Sequence, residues 1–449
     1  MNNIALFKQK MAEEGLPDIV INNFTYYYDL LLNGDQGTLP EKSINALDTL
    51  NEYSQLGEEF NRIGETNKSK YVIIKLNGGL GTSMGLTEAK SLLKVKNNLT
   101  FLDIIAQQAK TNEIPLILMN SYNTQTKSLE LLSRYFKDAE DLPLDFLQHK
   151  IPKINSDNYE PAEYEIDREL EWCPPGHGEI YTAMVTSGLL TKLLASGIEY
   201  AFISNSDNLG AVSDYKILGY LVKNELPFLM EVARRTESDK KGGHLAGLEE
   251  NRLVLRESAQ CPEADIEHFQ NIEKHKFFNT NNIWINLRFL RDKLEKNNNV
   301  LKLPMIVNTK TVDPKIPDSQ KVYQLETAMG SAISIFEGAD AIVVPRTRFA
   351  PVKTTEDLLA VRSDYYTLTE DFRLILNPAR KLKPITIHLD SKYYKLLNDL
   401  NSRIPEPPSL VDCEKLKVEG DFYFEKNLKF KGEVEFINKS GKQQIINNE

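Results

Sequence analysis

From Tyr71 onward, short uninterrupted apolar runs alternate with segments of helical period, and this alternation constrains the fold more than any other feature of the chain. The runs are YVIIKL at 71–76, PLILM at 115–119, YAFIS at 200–204, FLMEV at 228–232 and AIVVP at 341–345. A short run with no polar face reads as a strand buried on both sides. Between the runs lie FLDIIAQQAK after Thr100, SLELLSRYF after Lys127, YTAMVTSGLLTKLLAS after Ile180 and DYKILGYLVKN after Ser213, with apolar residues three and four apart. Strands alternating with helices predict an α/β fold, a mainly parallel sheet with helices on both faces. In such sheets ligands collect beyond the carboxyl ends of the strands.

The flanks differ from this middle. Residues 1–65 read as a polar helical segment, with Ile4, Phe7 and Met11, then Ile19, Phe24 and Tyr28, then Ile44, Leu47 and Leu50 at helical spacing. After residue 383 the segments KPITIHL, LKVEGDFYF, LKFKGEVEF and KQQII alternate with period two and are punctuated by Gly420, Gly432 and Gly441. They suggest a small C-terminal parallel β-helix, with an antiparallel meander as the alternative that their irregular spacing leaves open. The proline-rich RIPEPPSL reads as a rigid connector. The expected division is therefore 1–65 helical, 66–383 catalytic and 384–449 β-helix-like.

Composition narrows the function classes. With 41% hydrophobic and 26% charged residues over 449 positions, the chain can bury a core without a metal or disulfide staple. The 54 Lys and Arg against 64 Asp and Glu leave a net charge of -10, which argues against nucleic acid or an anionic membrane as partner and requires any anionic substrate to meet a local basic pocket. The three cysteines, Cys173, Cys261 and Cys413, lie far apart and form no CxxC pair, as expected in a reducing compartment. No apolar stretch is long enough for a membrane span or a signal peptide, so a cytoplasmic location is expected.

The first buried run breaks into Asn77-Gly78-Gly79-Leu80-Gly81-Thr82-Ser83-Met84-Gly85, followed by Lys90. Four glycines let backbone amides approach an anion and adopt positive φ, as a phosphate cradle requires. The spacing fits neither the dinucleotide fingerprint, whose third glycine would come one residue earlier, nor the ATPase P-loop, since Lys90-Ser91 follows Ala89. By itself a glycine-rich loop is a weak signal, and a tight strand-to-helix connection is the alternative.

KLNGGLGTSMG with a lysine five residues on resembles the nucleotide-binding loop of the eukaryotic-type UTP-glucose-1-phosphate uridylyltransferases. Further segments resemble that family's motifs in order: WCPPGHGEIY at 172–181, SNSDNLGA at 204–211, MEVARRTESDKKGG at 230–243, FNTNNIWINL at 278–287, QLETAMGSAI at 324–333 and VPRTRFAPVKTTEDLLAVRSD at 344–364. Ala89 replaces the family's usual proline, and the C-terminal part is short. The resemblance implies a Rossmann-like, glycosyltransferase-A-like nucleotidyltransferase fold. Its substrates and products would be UTP, glucose 1-phosphate, UDP-glucose and pyrophosphate, with Mg²⁺ as cofactor and room for a homo-oligomer. It implies that UTP meets Leu76, Asn77, Gly78, Gly79, Gly81, Thr82, Lys90, Gln148, Gly176, Asn205 and Asp207, with Gln148 at the uracil edge and Asp207 as metal ligand. Glucose 1-phosphate would meet His177, Glu231, Gly243, Asn279, Asn281, Glu326 and Lys353, and Lys90 and Lys353 would be catalytic. A pyrophosphorylase for another sugar 1-phosphate, such as N-acetylglucosamine or galactose, and a non-catalytic UDP-sugar sensor are the alternatives. On residue chemistry alone, Asp207 at a strand end is more often a helix cap or turn former, His177 more often a turn residue, and a run such as Arg346, Arg348 and Lys353 usually solvated.

Overall fold

A computed structural model describes residues 3–137, 141–249 and 252–447. A ten-stranded sheet organises the chain. Its path runs Asn51–Glu52, Asp340–Val343, Phe228–Arg234, Phe277–Asn286, Tyr200–Asn205, Tyr71–Asn77, Leu116–Asn120, Asp145–Leu147. The strands His244–Gly247 and Leu253–Arg256 form a hairpin attached to Phe277–Asn286. All five predicted runs are strands of this sheet. Each is buried on both faces: Tyr71 and Ile73 pack with one set of helices, Val72 and Ile74 with another.

The sheet is mixed, because Phe277–Asn286 lies in its middle antiparallel to both neighbours. Periodicity does not mark this strand: Asn279-Thr280-Asn281-Asn282 interrupts its apolar half, Asn281 has φ 61°, and the register slips between Glu231 and Val232. The expected helix after Ile180 breaks at Gly188, φ 74°, into Ile180–Thr186 and Leu189–Ala195. Phe101–Thr111 begins at Thr100, whose hydroxyl and the Asp103 carboxylate close a capping box.

The first 65 residues do not stand apart. Ile4–Glu13 and Asp18–Leu32 are helices whose Phe7, Phe24 and Tyr28 pack with Ile151, Ile154, Cys173, Met305 and Leu325. The spacing of Ile44, Leu47 and Leu50 is not helical but extended chain. Asn45 pairs with Gly247 as a bridge, and Asn51–Glu52 adds a parallel edge to the main sheet. Docking onto open sheet edges there outweighs the local helical pattern. Past residue 383, Thr386–Leu389, Ser409–Glu419 and Lys429–Ile437 pair in parallel, as do Phe422–Phe424 and Gln444–Ile446. Their Leu410, Leu416, Val418 and Phe424 belong to the same core cluster as Phe101 and Leu358.

Candidate active site

The site gathers at the carboxyl ends of the parallel strands. Tyr71–Asn77 ends in buried Asn77, whose Nδ2 donates to Asn120 Oδ1 (2.7 Å) and Ser128 Oγ (2.9 Å), tying the strand end to its neighbour. Leu76 is partly buried beside it. A side chain at Gly78 would meet the Gln148 amide at 2.8 Å, so Gln148 lies directly against the loop backbone. Gly79 faces open space, and Gly81 and Gly85 take φ 65° and 74°, the left-handed turns that fold the loop back. Thr82 is exposed. The Lys90 N–H donates to the Gly79 carbonyl at 3.1 Å, which brings the lysine over the loop.

Lys90 Nζ makes a 2.7 Å ion pair with Asp207 Oδ2. The other oxygen, Asp207 Oδ1, is buried and has no hydrogen-bond partner among the described residues. An anionic oxygen left bare in this way suits a hard cation, and Mg²⁺ needs only one or two protein carboxylates when substrate phosphates complete its shell. The donor set therefore fits that ion.

Next to this pair opens a cleft of about 360 Å³. Of the expected residues, Asn205, His177, Gly243, Asn279, Asn281, Glu326 and Lys353 line it. Asn281 Nδ2 donates to Asn205 Oδ1 at 3.2 Å, while Asn281 Oδ1 is buried with no partner among the described residues. Gly176 has φ 79°, and a Cβ there would lie 2.5 Å from the Thr327 carbonyl, so the His177 turn sits on the strand Lys321–Thr327 with no room for a side chain. The Met329 N–H donates to His177 Nδ1 at 2.9 Å. Nδ1 must then be unprotonated, and the neutral ring carries its hydrogen on Nε2. Burial holds the ring to that state by pushing its pKa down to about 4. Burial likewise raises the Glu326 carboxyl above its ordinary range, against the pull of Asn308 and Lys310.

Glu231 departs from expectation. It is fully buried and does not reach the cleft. Its carboxylate takes Arg348 Nε (2.7 Å) and Nη2 (2.6 Å), Trp284 Nε1 (2.9 Å) and Asn282 Nδ2 (3.0 Å). An interior strand position with three donor side chains around it makes Glu231 an internal counter-ion rather than a sugar acceptor. The basic run divides correspondingly: Arg348 is buried on Glu231, Arg346 pairs with Asp239 at 2.7 Å, and Lys353 alone lines the cleft, its Nζ 5.8 Å from the Phe349 ring centre.

Sequence reading missed Glu257 in this cleft. Its Oε2 lies 2.4 Å from where a Gly243 Cβ would be, Asn279 Nδ2 reaches Oε1 at 3.5 Å, and burial raises its carboxyl pKa against Asn279 and Lys353. Along the chain Glu257 reads only as the first residue of the Glu257–Gln260 capping box. The glycine that admits it is the one signal that could have pointed to a side chain opposite. Lys75 lies outside this cleft, buried beneath the strand end, where its Nζ holds Ser204 Oγ (2.7 Å) and the Ala211 carbonyl (2.8 Å) and burial pushes its pKa down to about 7.

The profile of the family described as UTP-glucose-1-phosphate uridylyltransferase matches residues 21–431. The UTP-glucose-1-phosphate uridylyltransferase of Solanum tuberosum is 42% identical over 388 residues, covering 84% of this chain and 79% of that protein. That of Saccharomyces cerevisiae is 39% identical over 390 residues, covering 85% and 77%. A mutant UDP-glucose pyrophosphorylase of Leishmania major, solved in complex with UDP-glucose, superposes with a TM-score of 0.92 at 41% identity, covering 100% of this chain and 97% of that one. With a family match over most of its length and relatives of this identity, the chain belongs to the UTP-glucose-1-phosphate uridylyltransferase family.

Proposed function

We propose that the protein makes UDP-glucose and pyrophosphate, reversibly, from UTP and glucose 1-phosphate. The observation that carries this reading is the join between two half-sites. The Val352 N–H donates to the Asp207 carbonyl at 3.2 Å, so Lys353 on the cleft and Asp207, whose carboxylate pairs with Lys90 of the glycine loop, leave adjoining backbone. Nucleotide phosphates on one side and a sugar phosphate on the other would meet between two lysines.

In this reading the glycine loop receives the nucleotide and the Gln148 amide pairs with the uracil edge. A purine would be too large there and would leave buried polar groups unpaired. His177 Nε2–H and Lys353 hold the glucose 1-phosphate oxygens, and Glu257, Asn279 and Glu326 face sugar hydroxyls. The phosphate oxygen attacks the UTP α-phosphorus in line and pyrophosphate leaves, so the protein's work is positioning and charge neutralisation. Lys90 releases Asp207 as it takes up nucleotide phosphate. Mg²⁺, held by Asp207, would supply further neutralisation of the phosphates when bound. We also read the parallel C-terminal pairs as coils of a short β-helix.

Purified protein with UTP, glucose 1-phosphate and Mg²⁺ should release pyrophosphate, and UTP should outperform ATP and GTP. Turnover only with another sugar 1-phosphate would move the reading to that pyrophosphorylase. UDP-glucose binding without turnover of any sugar phosphate would make the protein a sensor.

A further inference from the structure

We propose that Asn208 is a positioning residue: its side-chain amide, backed by the buried Arg348–Glu231 pair, fixes the Lys353 segment against the Asp207 turn. Asn208 acts here within the uridylyltransferase reaction proposed above. It is 2% exposed, and its amide uses its full hydrogen-bonding capacity. Oδ1 accepts from the Ala350 N–H (2.9 Å) and the Gly210 N–H (3.1 Å). Nδ2 donates to the Arg348 carbonyl (3.1 Å) and to Asn282 Oδ1 (3.3 Å). Two of these four bonds go to the main chain that leads to Lys353.

That main chain is held from behind. The Arg348 guanidinium grips Glu231 through two nitrogens and also donates to the Val212 carbonyl at 3.0 Å. A buried fork of this kind adds directional constraint more than net stability, because desolvation offsets most of the attraction. The two chains are also in backbone contact, since a Cβ at Gly210 would lie 2.4 Å from the Thr347 carbonyl. Beyond Asn208, the Val352 N–H reaches the Asp207 carbonyl and the Lys353 N–H reaches Asp357 Oδ2 at 2.8 Å, in the cap of the helix Thr355–Arg362. The Lys353 backbone is thus placed relative to Asp207 from both sides. Chemistry between two anions is sensitive to such placement, where a misplacement of about 1 Å costs about a hundredfold. An amide is required, because a carboxylate at this position would face two acceptors, the Arg348 carbonyl and Asn282 Oδ1.

The test is a double-mutant cycle on the full chain. Asn208→Ala should lower kcat about tenfold or more while the dissociation constant for UTP, measured calorimetrically without sugar phosphate, stays within about twofold. In the background of Lys353→Ala, the same substitution should cost almost nothing further, because there is no ammonium left to place. A general loss of structure would instead multiply with the lysine effect, and additive losses, or an unchanged kcat, would overturn the role. Should Asn208→Ala not fold, Asn208→Ser, which keeps a hydroxyl for one of the bonds, runs the same cycle. A wild-type chain that makes no UDP-glucose would remove the proposed reaction itself. A fully active wild type with an additive cycle would remove only the role of Asn208.

Discussion

Lys353 and His177 show how much individual side chains decide at this site. Lys353 lines the cleft with its ammonium while its backbone is bonded to the cap at Asp357. An ammonium that meets developing charge matters more in the transition state than in the ground state. Lys353→Ala should therefore lower kcat about a hundredfold, about 3 kcal/mol, and leave UTP binding near wild type. Near wild-type turnover in a folded variant would return Lys353 to a solvated loop. His177 carries a pH signature. With its pKa pushed from 6.5 to about 4 by burial, the unfolded chain takes up a proton there that the folded chain refuses. The stability this contributes is complete above about pH 6.5 and is lost as pH falls toward 4, where the Met329 N–H loses its acceptor. The melting temperature should fall over that window, and His177→Gln should flatten part of the slope. Only part is expected, since burial also pushes His244 down to about 2 and lowers His275. A slope unchanged in the variant would place the refused proton elsewhere.

At the scale of elements, the helices Glu58–Thr66 and Tyr215–Lys223 cross through glycines. A Cβ at Gly64 would lie 1.8 Å from the Tyr215 carbonyl, and one at Gly219 would lie 1.8 Å from the Phe60 carbonyl. Glycine inside a helix costs about 1 kcal/mol relative to alanine, so close approach of the two backbones is what these residues provide. Gly219→Ala should then destabilise by about 1–3 kcal/mol despite its better helix propensity, because the obstruction is main chain and cannot rotate away. Urea denaturation measures this, and a midpoint at or above wild type would show that the helices do not approach so closely. The same crossing is one reason why the chain before Tyr71 is not the separate segment that its helical spacing suggested. Periodicity reports which face of a helix is apolar, but not that its partner lies about 150 residues away.

For the whole molecule, the segment after the proline-rich connector is bound into the rest through specific groups. Arg380 donates to the carbonyls of Val411 and Cys413 at 2.9 and 2.8 Å, and the Asp364 carboxylate accepts from the N–H groups of Leu410 and Val411 at 2.6 and 3.0 Å. Leu396, just before the connector, packs 3.2 Å from where a Gly85 Cβ would be, so the chain leading into the connector touches the glycine loop. Removing residues 409–449 would expose shared core and strand a buried guanidinium and a carboxylate. The truncated chain should aggregate or melt well below the full chain, and the full chain should melt in one transition. A soluble truncated protein with an unchanged melting temperature would show that the shared core is dispensable. Among the described residues, no helix is long and apolar enough to cross a membrane. The buried strands and the glycine loop were legible in the sequence because short apolar runs and left-handed glycines are local requirements, met within a few residues of chain. Family motifs carried the list of cleft residues further than residue chemistry could. Tertiary structure decided the rest. It placed an antiparallel strand at the centre of the sheet, turned Glu231 and Arg348 inward, and brought Glu257 into the cleft. Burial and charge pairing are properties of what surrounds a side chain, and those surroundings are assembled from segments far apart in the sequence.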